Sequence, residues 1–372
     1  MAKDDAQDKL IKKKEEILKK VVGTLQQKFG KESINYLGNE DIEPLQRIPS
    51  QSIAIDEVTG GGYPLGRIIE LFGGESSGKT TACLHAIASA QRMFPDKLCG
   101  IVDSEYAFDP VYAAAIGVNV GELAIAQPES GEDGFAILQG MIESGGFSLI
   151  VVDSVAAMVP RAEVEEEDFG KSTIGLQARM MSKALRKLTS VIGRHGVVVM
   201  FTNQTREKVG VTWGDQTTTT GGSSLKFYAS IRLKLTKLGA IEEGTGDNRQ
   251  KTSVKTRVDC VKNKTFPPFK RAEYIVTFGK GIDNEALYMQ TILANFVEHP
   301  TKVSYVMLNG EKVNGIAKAK EYLETHPDVF NQYKKMVDEQ YKHRRPLEIP
   351  DEEREDQDDE EDFEEESGTI SS

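Results

Sequence analysis

Three features of this 372-residue sequence predict an α/β fold built on a mostly parallel central sheet. Short apolar runs alternate with amphipathic stretches between about residues 41 and 280. A glycine-rich GxxxxGK[ST] segment joins one such run to a helical stretch, the strand–loop–helix order of an open nucleotide-binding sheet. The character changes near residue 280 and again after Pro346, setting off a small α+β module and an acidic tail.

Composition sets the class. Hydrophobic residues make up 39% and charged residues 28%, so most of the chain is expected to be globular. The net charge of −12 is not spread evenly. Residues 351–366, DEEREDQDDEEDFEEE, hold 13 of the 58 acids and one of the 46 bases, and the remainder is neutral at 45 of each. An acidic tail on a neutral body leaves a nucleic-acid partner open. Cys83, Cys99 and Cys260 are odd in number and share no close spacing, which points to a reduced cytoplasmic setting and against a zinc site. The opening MAKDDAQDKLIKKKEE lacks an apolar signal core, and no run approaches the roughly 20 apolar residues of a membrane span. A soluble protein with no membrane partner is expected.

Residues 5–30 read as an amphipathic helix. Leu10, Ile11, Ile17, Leu18, Val21, Val22 and Leu25 recur near helical spacing among lysines and glutamates, and Gly30 is the stop. Periodicity leaves open whether this helix packs on its own core or on a neighbouring subunit. Strand-like runs follow at 67–72, 99–105, 148–154, 196–204 and 230–238, with helical stretches at 80–94 and 176–195 among the earlier ones. Such alternation predicts parallel strands covered by helices on both faces. The later runs, 230–238, 254–261 and 272–278, come without helices between them and predict an antiparallel extension. Beyond 280, two or three helices predict a small α+β module, and 350–372 is expected to be disordered. The domain plan is thus 1–40, 41–280, 281–346 and 347–372.

The sharpest motif is Gly73, Gly74, Glu75, Ser76, Ser77, Gly78, Lys79, Thr80. Glycines let consecutive backbone N–H groups curl round phosphate, the lysine meets the β and γ charges, and the hydroxyl reaches Mg2+. The helix that follows adds its dipole, so an ATP or GTP site is expected. Asp153 ends the run LIVVD, where an acid at the carboxyl edge of an open sheet reaches the magnesium shell. Glu105 follows a neighbouring strand and is the favoured group for orienting the attacking water; the alternative is that Asp103 does this while Glu105 caps the next segment. Gln204 ends a third strand after Asn203, and a neutral amide there can sense a γ-phosphate. It leads into TREKVGVTWGDQTTTTGGSS, a long polar segment whose root would pass the nucleotide state to a second ligand.

Five segments, taken together in order and spacing, resemble the bacterial RecA recombinase family: GGESSGKTT (73–81), LIVVDSVAAMVPRAEVE (149–165), GLQARMMSKALRKL (175–188), TTTTGGSSLKFYASIRL (217–233) and VKNKTFPPFK (261–270). The likeness runs from about residue 15 to 345 and suits a bacterial or phage-encoded member. It implies a RecA-type P-loop ATPase core, a preceding helix that serves polymerisation, and ATP-dependent pairing and exchange of DNA strands in recombination, repair and the SOS response. ATP and Mg2+ are the implied cofactors. Within the cradle that Thr81 closes, Lys79 and Thr80 would bind phosphate and Mg2+, with Asp153 supporting the Mg2+ shell. Glu105 would activate water, and Gln204 would be the γ-phosphate switch. Asp109 and Tyr112, in AFDPVY, would contact the adenine, Tyr112 by stacking. Lys262 and Lys264 would reach ATP across a subunit interface, although the motif alone reads as ordinary surface lysines.

DNA would enter at two segments. The first, EEDFGKSTI (166–174), precedes a helix carrying Arg179, Ser182 and Arg186; the second, 205–222, includes Arg206, Lys208, Gly221 and Gly222. Basic side chains and backbone N–H groups hold phosphates without reading sequence, while Ile174 and Val209 wedge between bases. Apart from the resemblance, Arg179 and Arg186 read equally as a solvated basic face. The implied partners are single-stranded and duplex DNA, further copies in a helical filament, an SOS-type repressor, and single-strand-binding or loader proteins. The acidic tail would compete with DNA for basic surface, or else serve solubility. The chain departs from the family pattern at Gly74, where Pro is usual, at the DSE of 103–105 in place of DAE, at Trp213 for Phe and at Ser223 for Asn. A P-loop kinase or clock-type ATPase would lack the 205–222 segment and the VKNK strand. A hexameric helicase also couples ATP across subunits, but the leading helix and short carboxyl-terminal module favour the recombinase. A RadA-type relative would bring a CxxC cluster that this sequence lacks.

Overall fold

The computed structural model describes residues 2–30, 34, 45–166, 175–207, 217–243, 249–301 and 303–343. The 350–372 tail, most of 166–174 and the centre of 205–222 therefore lie outside the described residues. Contacts divide the chain into two units, 1–46 and 47–372. The first holds α1 (Ala2–Phe29), which ends where expected: Gly30 has a left-handed φ of 95° and donates its N–H to the Gln26 carbonyl. Along α1 the apolar Leu10, Ile11, Ile17 and Val21 are exposed within this chain.

In the second unit β1 (Arg47–Ile48) pairs antiparallel with β2 (Tyr63–Pro64), and α2 (Ile53–Thr59) lies between them in sequence, capped by Ser52 and ended by Gly60. β3 (Ile68–Gly73) is buried at all six positions and leads through the P-loop into α3 (Lys79–Met93). The alternation continues with β4 (Leu98–Asp103), α4 (Pro110–Ile116), β5 (Leu123–Ala126), α5 (Gly131–Glu143) and β6 (Phe147–Asp153). A single turn, α6 (Arg161–Val164), precedes α7 (Leu176–His195). There follow β7 (Val198–Glu207), β8 (Thr217–Thr219), α8 (Ser224–Tyr228), β9 (Ile231–Glu243), β10 (Gln250–Asn263), β11 (Arg271–Thr277) and β12 (Gly281–Ile282).

These strands form one sheet in the order β12-β11-β10-β9-β3-β7-β6-β4-β5, with β8 on β7. Pairing is parallel from β9 across to β5 and antiparallel from β9 to β12, so both the parallel core and its antiparallel extension match the sequence expectation. Small side chains on α3, among them Ala82, Cys83, Ala86 and Ala90, bring that helix close to one face, where it packs with Ile69, Leu71 and Leu233. The other face is covered by α5 and α7 through Leu138, Met181, Leu185 and Ile192, against Ile150, Val199 and Phe201. The helix expected at 176–195 has those bounds, and the one expected at 80–94 is shifted by one residue to 79–93. β10 is longer than the expected 254–261 because neighbours on both sides satisfy its backbone.

A third core belongs to the carboxyl-terminal module of α9 (Asn284–Asn295), β13 (Glu298–Thr301), β14 (Ser304–Val306), β15 (Lys312–Asn314), α10 (Ile316–Thr325) and α11 (Pro327–His343). Its three helices and three-stranded antiparallel sheet close around Ile292, Leu323, Tyr333 and Val337.

Candidate functional site

The P-loop leaves the carboxyl end of β3 between two neighbours, β7 and β9. Gly73 is required by that crowding: a Cβ there would lie 2.1 Å from the Leu235 carbonyl oxygen. At Gly74 a Cβ would meet nothing within 4 Å, so the departure from the family's Pro costs no packing. Left-handed backbone at Ser76 (φ 54°) and Gly78 (φ 88°) gives the curl of a phosphate nest. The Ser77 hydroxyl braces it by donating to the Gly74 carbonyl at 2.9 Å, and Glu75 faces solvent. Lys79 Nζ folds over the loop, donating to the carbonyls of Gly74 at 2.7 Å and Gly73 at 3.3 Å. Burial holds its pKa below the ordinary lysine value, while Asp153 and Glu105 pull the other way.

Thr80, the first hydroxyl after the lysine, donates to Asp153 Oδ2 at 2.7 Å. Thr202 on β7 donates to the other oxygen at 2.5 Å, a contact 49 residues apart in the chain that no local motif announces. Burial raises the Asp153 pKa, with both hydroxyl bonds opposing that shift. A hydroxyl and a carboxylate side by side at the mouth of a phosphate cradle suit an oxygen-preferring divalent cation such as Mg2+. Among the described residues no cluster of three or more His, Cys, Asp or Glu forms a metal site of its own.

The two acids after β4 have different surroundings. Asp103 is 3% exposed and accepts from the backbone N–H groups of Ala107 and Phe108 and from Gln127 Nε2, so it holds the turn. Glu105 is exposed, takes a hydrogen bond from the Ser154 hydroxyl, and joins Thr80 and Asp153 in lining a cavity of about 60 Å³. Asp109 is the N-cap of α4, its Oδ1 accepting from the N–H groups of Val111 and Tyr112. The Tyr112 hydroxyl shares a 2.9 Å hydrogen bond with Thr81 Oγ1, tying α4 to the start of α3.

Gln204 is exposed near the carboxyl end of β7, with its N–H held by Asn203 Oδ1 at 2.9 Å. Lys262 and Lys264 lie elsewhere. Lys262 pairs across the ladder with Arg232, which stands opposite Glu70 on β3, three residues before Gly73. Its Nζ donates to the carbonyls of Lys226 (2.6 Å) and Phe227 (3.0 Å) at the end of α8, and Lys264 reaches Phe227 at 3.5 Å. Burial, then Lys264 and Arg232, lower the Lys262 pKa.

On α7, Arg179 and Arg186 are exposed on the side away from the apolar Met181, Leu185, Leu188 and Ile192, and Ser182 is half-buried at the flank between the two faces. The end of the 205–222 segment packs between the turn after β6 and the beginning of this helix: a Cβ added at Gly221 would lie 2.9 Å from Val155 Cγ1 and 3.3 Å from Met181 Cγ, and one at Gly222 would lie 2.8 Å from Ala178 Cβ. Both glycines also have positive φ. Ile174, Lys208 and Val209 lie outside the described residues, and Arg206 is on β7.

Fold and site together define a P-loop nucleotide-binding protein of the open α/β class, its ligand groups at the carboxyl ends of β3, β4, β6 and β7. The RecA N-terminal domain family matches residues 16–283. Protein RecA of Streptococcus pyogenes serotype M49 (strain NZ131) is 44% identical over 344 residues, which cover 88% of this chain and 89% of that protein. Protein RecA of Thermotoga petrophila is 44% identical over 337 residues, covering 89% and 93%. The chain belongs to the RecA family. A crystal structure of the RadB recombinase is similar over 63% of this chain and 98% of that one, at 21% identity and a TM-score of 0.47.

Proposed function

We propose that this member of the RecA family is an ATP-dependent DNA recombinase. It is a DNA-dependent ATPase that assembles on single-stranded DNA as a helical filament and pairs and exchanges homologous strands in recombination and repair. Its working place is the cytoplasm; no helix among the described residues is long and apolar enough to cross a membrane. The P-loop amides and Lys79 hold the ATP phosphates, and Asp109 and Tyr112 border the base. Thr80 and Asp153 would hold Mg2+, which when bound neutralises phosphate charge. Glu105, steadied by Ser154, orients the attacking water.

The observation that carries this reading is the separation of two sets of cations on one chain. Lys79 stands beyond the carboxyl end of β3, whereas Lys262 is level with Glu70, on the order of 10 Å back along the strand and two strands across. Lys262 and Lys264, whose Nζ atoms donate to carbonyls at the end of α8, are set back from their own P-loop and would serve a neighbour's by exchanging those carbonyls for its phosphates. Hydrolysis that needs a neighbour's cations depends on assembly, and head-to-tail assembly builds a filament. Arg179, Ser182, Arg186 and the backbone around Gly221 and Gly222 face the bound strand. Repressor, single-strand-binding and loader proteins would meet the assembled filament.

Steady-state ATP hydrolysis with and without single-stranded DNA tests the proposal. Strong stimulation by DNA, abolished in Lys79→Ala, is expected. Hydrolysis indifferent to DNA would overturn it in favour of a P-loop ATPase without a DNA role.

A further inference from the structure

Behind the P-loop, Glu70 on β3 and Asn203 on β7 are both fully buried. Burial of so many polar atoms is costly unless each is hydrogen-bonded. The Asn203 amide meets that condition in full. Nδ2 donates to Glu70 Oε1 at 3.0 Å and to the Thr220 carbonyl at 3.1 Å. Oδ1 accepts from the Gln204 N–H at 2.9 Å and from the Thr220 hydroxyl. Two donors and two lone pairs are all the group has. Its orientation is fixed chemically, because the Thr220 carbonyl can only accept and the Gln204 N–H can only donate.

The partners of this one amide come from three places. Gln204 is at the near root of the 205–222 segment, and Thr220 is at the far root, directly before Gly221 and Gly222. Glu70 belongs to the strand that enters the P-loop, and its second oxygen takes Nε of Arg232. The Arg232 guanidinium lies 4.5 Å over the Phe72 ring, and its residue is the ladder partner of Lys262.

We propose that Asn203 is a positioning residue that ties Gln204 to the far root of the 205–222 segment and, through Glu70 and Arg232, to the strand holding Lys262. A movement of Gln204 then displaces Thr220 with it, because the backbone N–H of one and the hydroxyl of the other share Asn203 Oδ1. This rests on the reading of Gln204 as the γ-phosphate sensor.

The test removes the hydroxyl link on which the shared acceptor depends, without placing a charge in the core, and leaves the Asn203 Nδ2 bond to the Thr220 carbonyl in place. Thr220→Val keeps the shape of the side chain and removes its hydroxyl; Thr220→Ser keeps the hydroxyl. Two readouts are taken on the full chain: DNA-stimulated hydrolysis, and the emission of Trp213, the sole tryptophan, on adding a non-hydrolysable ATP analogue. Thr220→Val is expected to lower the DNA-stimulated kcat about three- to tenfold, the worth of one hydrogen bond, with KM for ATP within about twofold. The nucleotide-dependent change in Trp213 emission shrinks with it, and Thr220→Ser restores both. Wild-type kcat and emission in Thr220→Val, while Gln204→Ala loses both, would overturn the tie but leave the sensor standing. A loss in Thr220→Val that Thr220→Ser shares would also overturn it. Gln204→Ala with wild-type kcat and emission would overturn the sensor reading, and the tie with it.

Discussion

His85 on α3 is 5% exposed, and its ring nitrogens have different partners. The Ile282 N–H donates to Nε2 at 2.8 Å, which makes Nε2 the unprotonated nitrogen and leaves Nδ1–H for Gln51 Oε1 at 3.2 Å. Burial, aided by Arg92, pushes the pKa from 6.5 down to about 4. A base with a depressed folded pKa takes up a proton on unfolding, so its stability contribution is full above pH 6.5 and is lost as pH falls toward 4. At pH 5 the loss from this group reaches at most about 2 kcal/mol. His85→Gln, which can still accept from Ile282, is expected to lose less stability between pH 7 and 5 than the parent. Urea midpoints at the two pH values measure this, and equal losses would clear His85 of the role. The contrast with the P-loop shows which residues a sequence reveals. Lys79 and Thr80 are legible because a phosphate cradle is contiguous, and Asp153 because an acid ending a buried strand has a fixed geometric meaning. The partners of His85 lie 34 and 197 residues away, and those of Asn203 up to 133, so neither role leaves a local pattern.

At the scale of elements, α7 was the most legible because its two faces obey one period. Met181, Leu185, Leu188 and Ile192 are buried at spacings of four, three and four, while Arg179 and Arg186 stay in solvent. The faces should therefore fail differently. Leu185→Ala removes a fully buried side chain and is expected to cost about 2–5 kcal/mol by urea unfolding. Arg186→Ala should leave stability within about 0.5 kcal/mol. It should instead weaken single-stranded DNA binding and reduce the slope of log K against log salt by about 0.7, one phosphate contact. An unchanged slope would return Arg186 to the role of a solvated charge. Strand order is a different matter. Periodicity marks β3, β7 and β9 as strands, but nothing in it says that β3 lies between the other two, since their contacts are long-range. The one-turn α6 and five-residue α8 are too short for any period to declare them.

For the whole molecule, charge is distributed in a way that no single element shows. Residues 351–366 carry a net −12 and the rest of the chain is neutral. Nucleic acid approaching Arg179 and Arg186 would then compete with a polyanion that belongs to the same chain. Such competition is electrostatic, so it weakens as salt shortens the Debye length from about 30 Å at 0.01 M to about 10 Å at 0.1 M. Mg2+ binding to the carboxylates weakens it further. Deleting 347–372 is accordingly expected to speed capture of duplex DNA at low Mg2+ and low salt, with the advantage shrinking as either rises. The rate is followed with a labelled duplex added to preformed complexes on single-stranded DNA, and hydrolysis on single-stranded DNA serves as the control for folding. Equal capture rates at low salt would mean that the acids only keep the chain soluble. A gain that persists unchanged at high salt would point to a steric block, because charge competition cannot survive screening.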